Sequence, residues 1–473
     1  MVSPTLPNAR PDLADVLRDR RRRLAHRFTG AGAVVLWSGQ APARNFAANR
    51  YPFRASSHFL YFAGLPLERA AILLEGDRLE LFWDEPTPAA TLWHGPAPHR
   101  VEIARALGAD AAFAYADIKG RVAALQGAAP DSVATVGLVD PHLRAMQAEI
   151  LGRPVSPPAD GMGVDRELAL AIVATRLVHD ADAIAQIRHA AAVTVQAHRA
   201  GMLITDRATH EVKVRAAIEA VIYQRGAVPA YNSIVTIAGE VLHNERYDNP
   251  LLPGDLLLVD AGAEAASGWA SDVTRTWPVS GEFSPTQRAV YDVVLAAHDA
   301  CIAELRAGVE YQKIHLLAAQ VLAEGLVELG ILRGQPEDLV DCDAHALFFP
   351  HGIGHLLGLD VHDMEDLGDL AGYAEGRRRS ERFGLGFLRL NRPIPAGAIV
   401  TIEPGFYQVP AILEDRDRRD RYAGLVDWER LAEFKDVRGI RIEDDVLVTA
   451  TGCEVLTADL PVAAEEVAAL VRE

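Results

Sequence analysis

Three histidines, His351, His355 and His362, fall within the fourteen residues PHGIGHLLGLDVHD from Pro350 to Asp363. Imidazoles this close can ligate a metal, move protons, or sit satisfied in a core. A zincin site is excluded, because it needs H-E-x-x-H on a helix with the Glu as base. Here the segment reads H-G-I-G-H, and two glycines oppose a regular helix. In an extended chain His351, Ile353 and His355 share one face, since the strand period is two.

Four acids give these histidines a context. Asp260 ends the apolar run of LLLVDAGAE, and Asp272 follows in GWASDVTRTWPV. Glu403 ends the run of IVTIEPGFY before a Pro-Gly turn, and Glu443 lies inside the strand pattern GIRIEDDVLV. An acid in such a run is costly to bury unless paired, protonated or bound to metal. One alone reads as a strand-end residue facing water; four in the same half of the chain, with a histidine pair, do not. Four carboxylates and one imidazole suit two divalent cations. Their charges balance, and bridging carboxylates hold such ions roughly 3.5–4 Å apart around a shared water. Oxygen-rich ligation with one nitrogen favours Mn²⁺, Co²⁺ or similar ions over a thiolate-type zinc site.

The elements that must carry these residues can be read from the pattern. Residues 11–28 read as a helix, GAVVLWSG as a buried strand, and AAILLEGDRLELFWD as two strands around a Gly76-Asp77 turn. RVEIARALGADAAFAYADI reads as a helix then a strand. This mixture predicts a first α/β domain of about 170 residues, an ordinary domain size. From Thr175 to Met202 the pattern is one long helix, followed by a helix over HEVKVRAAIEAVIYQRG and strands in SIVTIAG and DLLLVDAGAE. SPTQRAVYDVVLAAHDACIAEL predicts a helix with Ser284 as N-cap and Pro285 in the first turn. YQKIHLLAAQVLAEGLVELG predicts another. The charge runs at 375–382 and 414–422 read as solvated loops or helix faces. His58, His94, His99, His298 and His315 read as surface or helix-face residues.

Bulk properties narrow the class. The chain has 473 residues and a formal charge of −18, which disfavours nucleic acid or an anionic membrane as partner. Cys301, Cys342 and Cys453 are far apart, odd in number and without a CxxC pair, as expected of reduced thiols in a cytoplasmic protein. The N-terminus lacks an apolar signal region, and no apolar run approaches about 20 residues.

The order Asp, Asp, His, Glu, Glu, set in VDAG, SDVTRTWPV, HGIGHLLGLDVHD, TIEPG and GIRIEDD, resembles the pita-bread-fold metallopeptidases. Within them it is most similar to the proline-specific branch, aminopeptidase P and prolidase. The first domain resembles that branch through YPFRASSHFLYFAGL at 51–65 and TLWHG at 91–95. The resemblance implies an α/β N-terminal domain over 1–172 and an α+β pita-bread catalytic domain over 173–473. It implies Asp260, Asp272, His355, Glu403 and Glu443 as ligands of two divalent ions, Mn²⁺ first and Co²⁺ or Zn²⁺ as alternatives, with Asp272 and Glu443 bridging. Glu403 is also the expected proton acceptor. His243, in GEVLHNERYDNPL, matches a histidine that orients substrate. His351 and His362 match histidines that hold the substrate carbonyl and stabilise the tetrahedral intermediate. Tyr407 and Arg441 match residues beside the proline pocket and in the network behind the ligands.

The implied reaction is hydrolysis of an Xaa-Pro bond at a peptide N-terminus through a metal-bridging hydroxide. The family implies a homodimer or higher homo-oligomer whose N-terminal domain helps close a neighbour's site. Trp93 is then a lid residue or, alternatively, part of a core. HNERYDNPLLPGDLLLVDAGAE resembles aminopeptidase P, whereas the long segment between Glu403 and Glu443 resembles prolidase. Arg389, ahead of Glu403, resembles a prolidase arginine that binds a dipeptide carboxylate, as a guanidinium fork suits. The charged stretch HDMEDLGDLAGYAEGRRRSERFGLGF is expected to reshape the cleft and with it end-specificity. Prolidase or carboxypeptidase-type release is therefore the alternative. A metal-free creatinase-like hydrolase or binding module, and a methionine aminopeptidase, fit the ligand set and the N-terminal domain less well.

Overall fold

The computed structural model describes residues 12–127 and 129–473. Pro11, where the expected first helix begins, lies outside them; the helix runs Leu13–Arg27. The chain forms two compact units, one of residues 1–177, 266–268 and 364–371, the other of the remainder. The helix Gly163–Arg176, which a boundary at 172 would cut, lies whole in the first.

The first unit is built on a five-stranded mixed sheet. Its spatial order is Ala111–Phe113, Arg78–Phe82, Ala71–Glu75, Ala33–Trp37, Val133–Thr135. The inner pairs are antiparallel and both outer pairs parallel. The hairpin turns at Gly76, whose φ of +64° suits glycine. Ala33, Val35 and Trp37 alternate toward one face and pack on Ile118, Val122 and Leu151 of two helices. Val34 and Leu36 point the other way and are buried too. Both faces are covered, which is why the strand reads as an unbroken apolar run.

The second unit contains two similar halves. Each has two packed helices and a three-stranded antiparallel sheet. The first half joins helices Ala181–Thr205 and Glu211–Gln224 to strands Ile234–Thr236, Leu256–Asp260 and Thr274–Pro278. The second joins helices Pro285–Glu304 and Tyr311–Glu328 to strands Ile399–Ile402, Asp444–Val448 and Cys453–Val455. Helix Pro285–Glu304 starts as its sequence predicts, with Ser284 and Gln287 forming a capping box. The stretch from Thr175 to Met202 is not one helix. It is interrupted before Asp180, whose carboxylate accepts from the Ala183 N–H and opens a new one.

Register places the acids. Asp260 pairs with Thr274 across the first sheet, two residues from Asp272. Ile402 pairs with Asp444 across the second, so Glu403 and Glu443 flank that pair. Glu443 does not lie inside a strand. The ladder breaks at Ile442 and Glu443, because the chain pairs with Gly405–Tyr407 before the break and with Ile399–Ile402 after it. Among the described residues no helix is long and apolar enough to cross a membrane.

Several histidines read as surface or helix-face residues turn out to be buried. His58 is held between Asp366 and Arg176, His298 contacts Asp444, and His315 donates to the Gly384 carbonyl at 2.8 Å. His94 and His99 are exposed as expected. His198 is also buried and donates to the Ala261 carbonyl at 3.0 Å. Burial lowers His198 and His315 to about 4. The folded state therefore resists protons that the unfolded chain takes up near 6.5. Stability is complete above pH 6.5 and falls as the pH drops toward 4, by up to about 3 kcal/mol for each histidine. Thermal melting between pH 7 and 4 is expected to show this decline, and replacing either histidine with Gln is expected to flatten it.

Candidate metal centre and active site

The ends of the two sheets meet at Thr274 and Glu443. The Glu443 N–H donates to the Thr274 carbonyl at 3.0 Å, and the Thr274 hydroxyl donates to Glu443 Oε2 at 2.6 Å. Buried Arg275 donates to the Glu443 carbonyl at 2.7 Å and to Asp444 at 2.8 Å, fixing this junction from behind. Asp272 is fixed in turn by Asp445, which accepts from the Asp272 N–H at 3.1 Å and the Ser271 hydroxyl at 2.6 Å.

The histidine segment runs beside the strand Ile399–Ile402 without joining a helix. The Thr401 N–H donates to the His355 carbonyl at 3.1 Å, and the Glu403 N–H donates to the Ile353 carbonyl at 2.9 Å. Gly354 allows this approach. A Cβ there would stand 2.2 Å from the Thr401 carbonyl oxygen, and its φ is +157°.

These contacts bring the expected residues into one cavity of about 420 Å³ in the second unit. Asp260, Asp272, His355, Glu403 and Glu443 line it, with His243, His351, His362, Arg389 and Arg441. His355 Nε2 lies 3.4 Å from Asp272 and 3.6 Å from Glu403. Ligand atoms of Asp272, His355 and Glu443, all buried, lie within 4.8 Å of one another. The rings of His355 and His362 stand 4.2 Å apart, edge to face. Arg441 donates to Asp260 at 2.5 Å and to the Tyr407 hydroxyl at 3.0 Å. Tyr407 is fully buried behind the cavity. His351 donates from Nδ1 to the Gly352 carbonyl at 2.7 Å, and its Nε2 accepts from the Tyr407 hydroxyl at 2.8 Å. Both its nitrogens thus have protein partners.

The charges in this pocket are out of balance. Burial pushes Glu403 up to about 7, Asp260 to about 6 and Glu443 well above the carboxylate range. Burial draws His355 down, but its hydrogen bond to Asp272 and the Glu403 charge prevail and hold it at about 9. Burial and the Arg441 charge hold His351 near 3, so it is neutral. Desolvation, then Arg441 and Arg389, also lower His243. Carboxylates driven toward protonation, and an imidazole driven to keep a proton, mark a place that wants positive charge. Two divalent ions would supply it, and the oxygen-rich donor set with one nitrogen fits them.

Tyr231 was not anticipated. Its hydroxyl lies 2.5 Å from Asp260 and 2.5 Å from Asp272, and it is held well above the usual phenol range by burial and those charges. One phenolic proton cannot serve two ionised oxygens, so this contact too calls for a cation or a shared proton. In PAYNSIVTIAG nothing distinguishes it from an ordinary tyrosine ahead of a strand. Asp445 was likewise hidden behind its neighbours in GIRIEDD.

Comparison with known proteins follows the same division. Residues 185–450 match the model for metallopeptidase family M24, and residues 17–133 match the aminopeptidase P N-terminal domain. A probable Xaa-Pro aminopeptidase of Talaromyces stipitatus is 32% identical over 443 residues, covering 91% of this chain and 90% of that protein. One from Phaeosphaeria nodorum is 33% identical, covering 89% and 88%. Among solved structures, Pseudomonas aeruginosa aminopeptidase PepP superposes with a TM-score of 0.78 at 28% identity over 97% of this chain and 98% of that one. A variant of Escherichia coli aminopeptidase P in complex with substrate gives 0.80 at 27% identity, with coverage of 97% and 98%.

Replacing Asp272 or Glu443 with Ala is expected to cut the bound divalent metal at least in half, measured by elemental analysis after dialysis. Either variant retaining two ions per chain would break the site assignment.

Proposed function

The chain belongs to metallopeptidase family M24, with the pita-bread catalytic fold behind an aminopeptidase P-type N-terminal domain, and on that premise we propose that it is an Xaa-Pro aminopeptidase. The observation that carries this reading is the convergence of four acids and His355 in one cavity with three further histidines. We place the N-terminal domain at the expected 1–172, extended to Leu177 so that the helix Gly163–Arg176 stays whole, and the catalytic domain from there to 473. Asp260, Asp272, His355, Glu403 and Glu443 are assigned to two divalent ions, with Mn²⁺ ahead of Co²⁺ and Zn²⁺ on the donor set. When bound, such ions supply Lewis acidity, which polarises a carbonyl and lowers the pKa of water toward neutrality.

The protein's own groups do the rest. Glu403, at the end of its strand and facing the cavity, is the proton carrier: it accepts from water and donates to the departing proline nitrogen. His362 and His351 hold the scissile carbonyl oxygen. For His351 this requires the ring to rotate away from the Gly352 carbonyl, which now takes its Nδ1 proton, so that the N–H is free for the substrate. A donor of this kind is worth about 2.7–4 kcal/mol in the transition state. His243 orients the substrate from the rim. Tyr407 and Arg441 back the proline pocket, and Arg389 lies where it can meet a carboxylate on the leaving side. An Xaa-Pro bond is a tertiary amide without an N–H, so a site that grips carbonyl and amine rather than amide N–H suits it.

The acting form is assigned as a homodimer or higher oligomer. Trp93 and Leu92 support this, since they are 80% and 79% exposed on the helix Pro88–His94 rather than packed in a core. A cytoplasmic location is supported by three free cysteines.

Mass spectrometry of the Mn²⁺-loaded protein with Ala-Pro, Ala-Pro-Phe, a longer Xaa-Pro peptide and a proline-free control tests the specificity. Release of the first residue from the longer peptides is expected. Cleavage of the dipeptide alone would make it a prolidase, and release from the C-terminus would overturn the end-specificity.

A further inference from the structure

One wall of the cavity has no part in the chemistry above. Phe387 and Leu388 press on Gly352, the neighbour of His351. A Cβ on that glycine would stand 3.1 Å from the Leu388 Cα and 3.1 Å from the Phe387 carbonyl oxygen. The Leu388 carbonyl accepts from the Tyr373 hydroxyl at 2.7 Å and from Arg379 Nη1 at 3.4 Å. The Arg379 guanidinium also stands 5.6 Å from the centre of the Tyr373 ring. Gly352 thus touches Leu388, and Leu388 touches Arg379, so this guanidinium stands one layer farther from His351 than the wall itself. Arg379 and Phe387 both line the cavity, and both are exposed, Phe387 by 67%.

The cavity therefore has two electrical poles. The acids and the candidate ions occupy one, where the amino end and scissile bond of a peptide belong. The Arg379 guanidinium marks the other. Arg389 lines the cavity together with His243 and His351, beside the reacting centre. Arg379 is reached beyond it. An extended peptide advances about 3.3 Å per residue, so a chain running outward from His351 passes the wall before it meets Arg379.

We propose that Arg379 is a specificity-determining residue that receives a substrate carboxylate one residue beyond the proline, so that short peptides with a negative charge there are preferred over neutral ones. This rests on the Xaa-Pro peptidase reading. A guanidinium held by a carbonyl and an aromatic face is already oriented, so less freedom is lost when a carboxylate docks on its fork. Phe387 gives the side chain at that position an apolar surface. The carboxylate can come from the C-terminus of a tripeptide or from an acidic side chain in a longer one.

The test compares wild type and R379Q, both Mn²⁺-loaded, on Ala-Pro-Ala, Ala-Pro-Ala-amide and Ala-Pro-Asp-amide, with kcat and KM from product release. Wild type is expected to favour the free acid over the amide through KM. R379Q is expected to lower that acid-to-amide ratio of kcat/KM about tenfold, since a charge-assisted pair is lost, and R379K to recover it only in part. If R379Q also lowers the ratio of the Asp-amide to the Ala-amide, the same guanidinium takes acidic side chains. If only the free acid responds, the source is the C-terminus. Wild type with no preference for either negatively charged peptide, or charged-to-neutral ratios that R379Q leaves unchanged, overturns the proposal. Wild type that cleaves none of the three overturns the peptidase reading and this inference with it.

Discussion

Four carboxylates crowded into one buried pocket, with a single guanidinium among them, set the terms for the second unit. Two unit charges 4 Å apart interact by about 4 kcal/mol at an effective dielectric of 20. Several such repulsions cannot be offset by Arg441 alone. The protein's own responses are visible in the pocket: a phenol proton shared between Asp260 and Asp272, His355 held up at about 9, and Glu443 driven toward protonation. Each is a partial remedy for missing positive charge. Bound divalent metal would remove the need for all of them at once.

The architecture shows how such an unfavourable grouping is assembled. Each half of the second unit ends two neighbouring antiparallel strands in acids, aspartates in the first half and glutamates in the second. Backbone pairing supplies the energy, and the side chains at the strand ends are carried along. The halves are then locked at Thr274 and Glu443, with Arg275 and Asp445 satisfying the groups behind them. The candidate ligands thus sit at strand ends or in short segments tied to the ladders by buried hydrogen bonds, which keeps their geometry tight.

Much of this could be read from the sequence because acids at the ends of apolar runs are expensive and therefore conspicuous. Asp260 and Glu403 lie at strand ends, and the Gly-rich histidine segment avoids a helix, as their patterns predict. What escaped were residues whose meaning depends on long-range packing. Tyr231 looks like any tyrosine until Asp260, at a strand end, and Asp272, just ahead of the neighbouring strand, converge on it. The break at Glu443 is invisible because Ile440, Ile442, Val446 and Val448 keep a period of two on either side of it. The interruption before Asp180 was masked by helix-forming residues on both sides, and only the capping aspartate marks it. His298 and His315 look solvent-exposed until the partners that receive their ring protons are in view.

The joint between Thr274 and Glu443 spans 169 positions of chain. Until the last third of the polypeptide has been synthesised, neither half can hold the other's acids, and Asp260 and Asp272 wait in water as ordinary carboxylates. The centre therefore has no stable partial form during translation. Closing so long a loop is entropically costly and comes after the local helices and hairpins have formed. A truncated product would keep most of the fold's local elements yet have no means of retaining an ion.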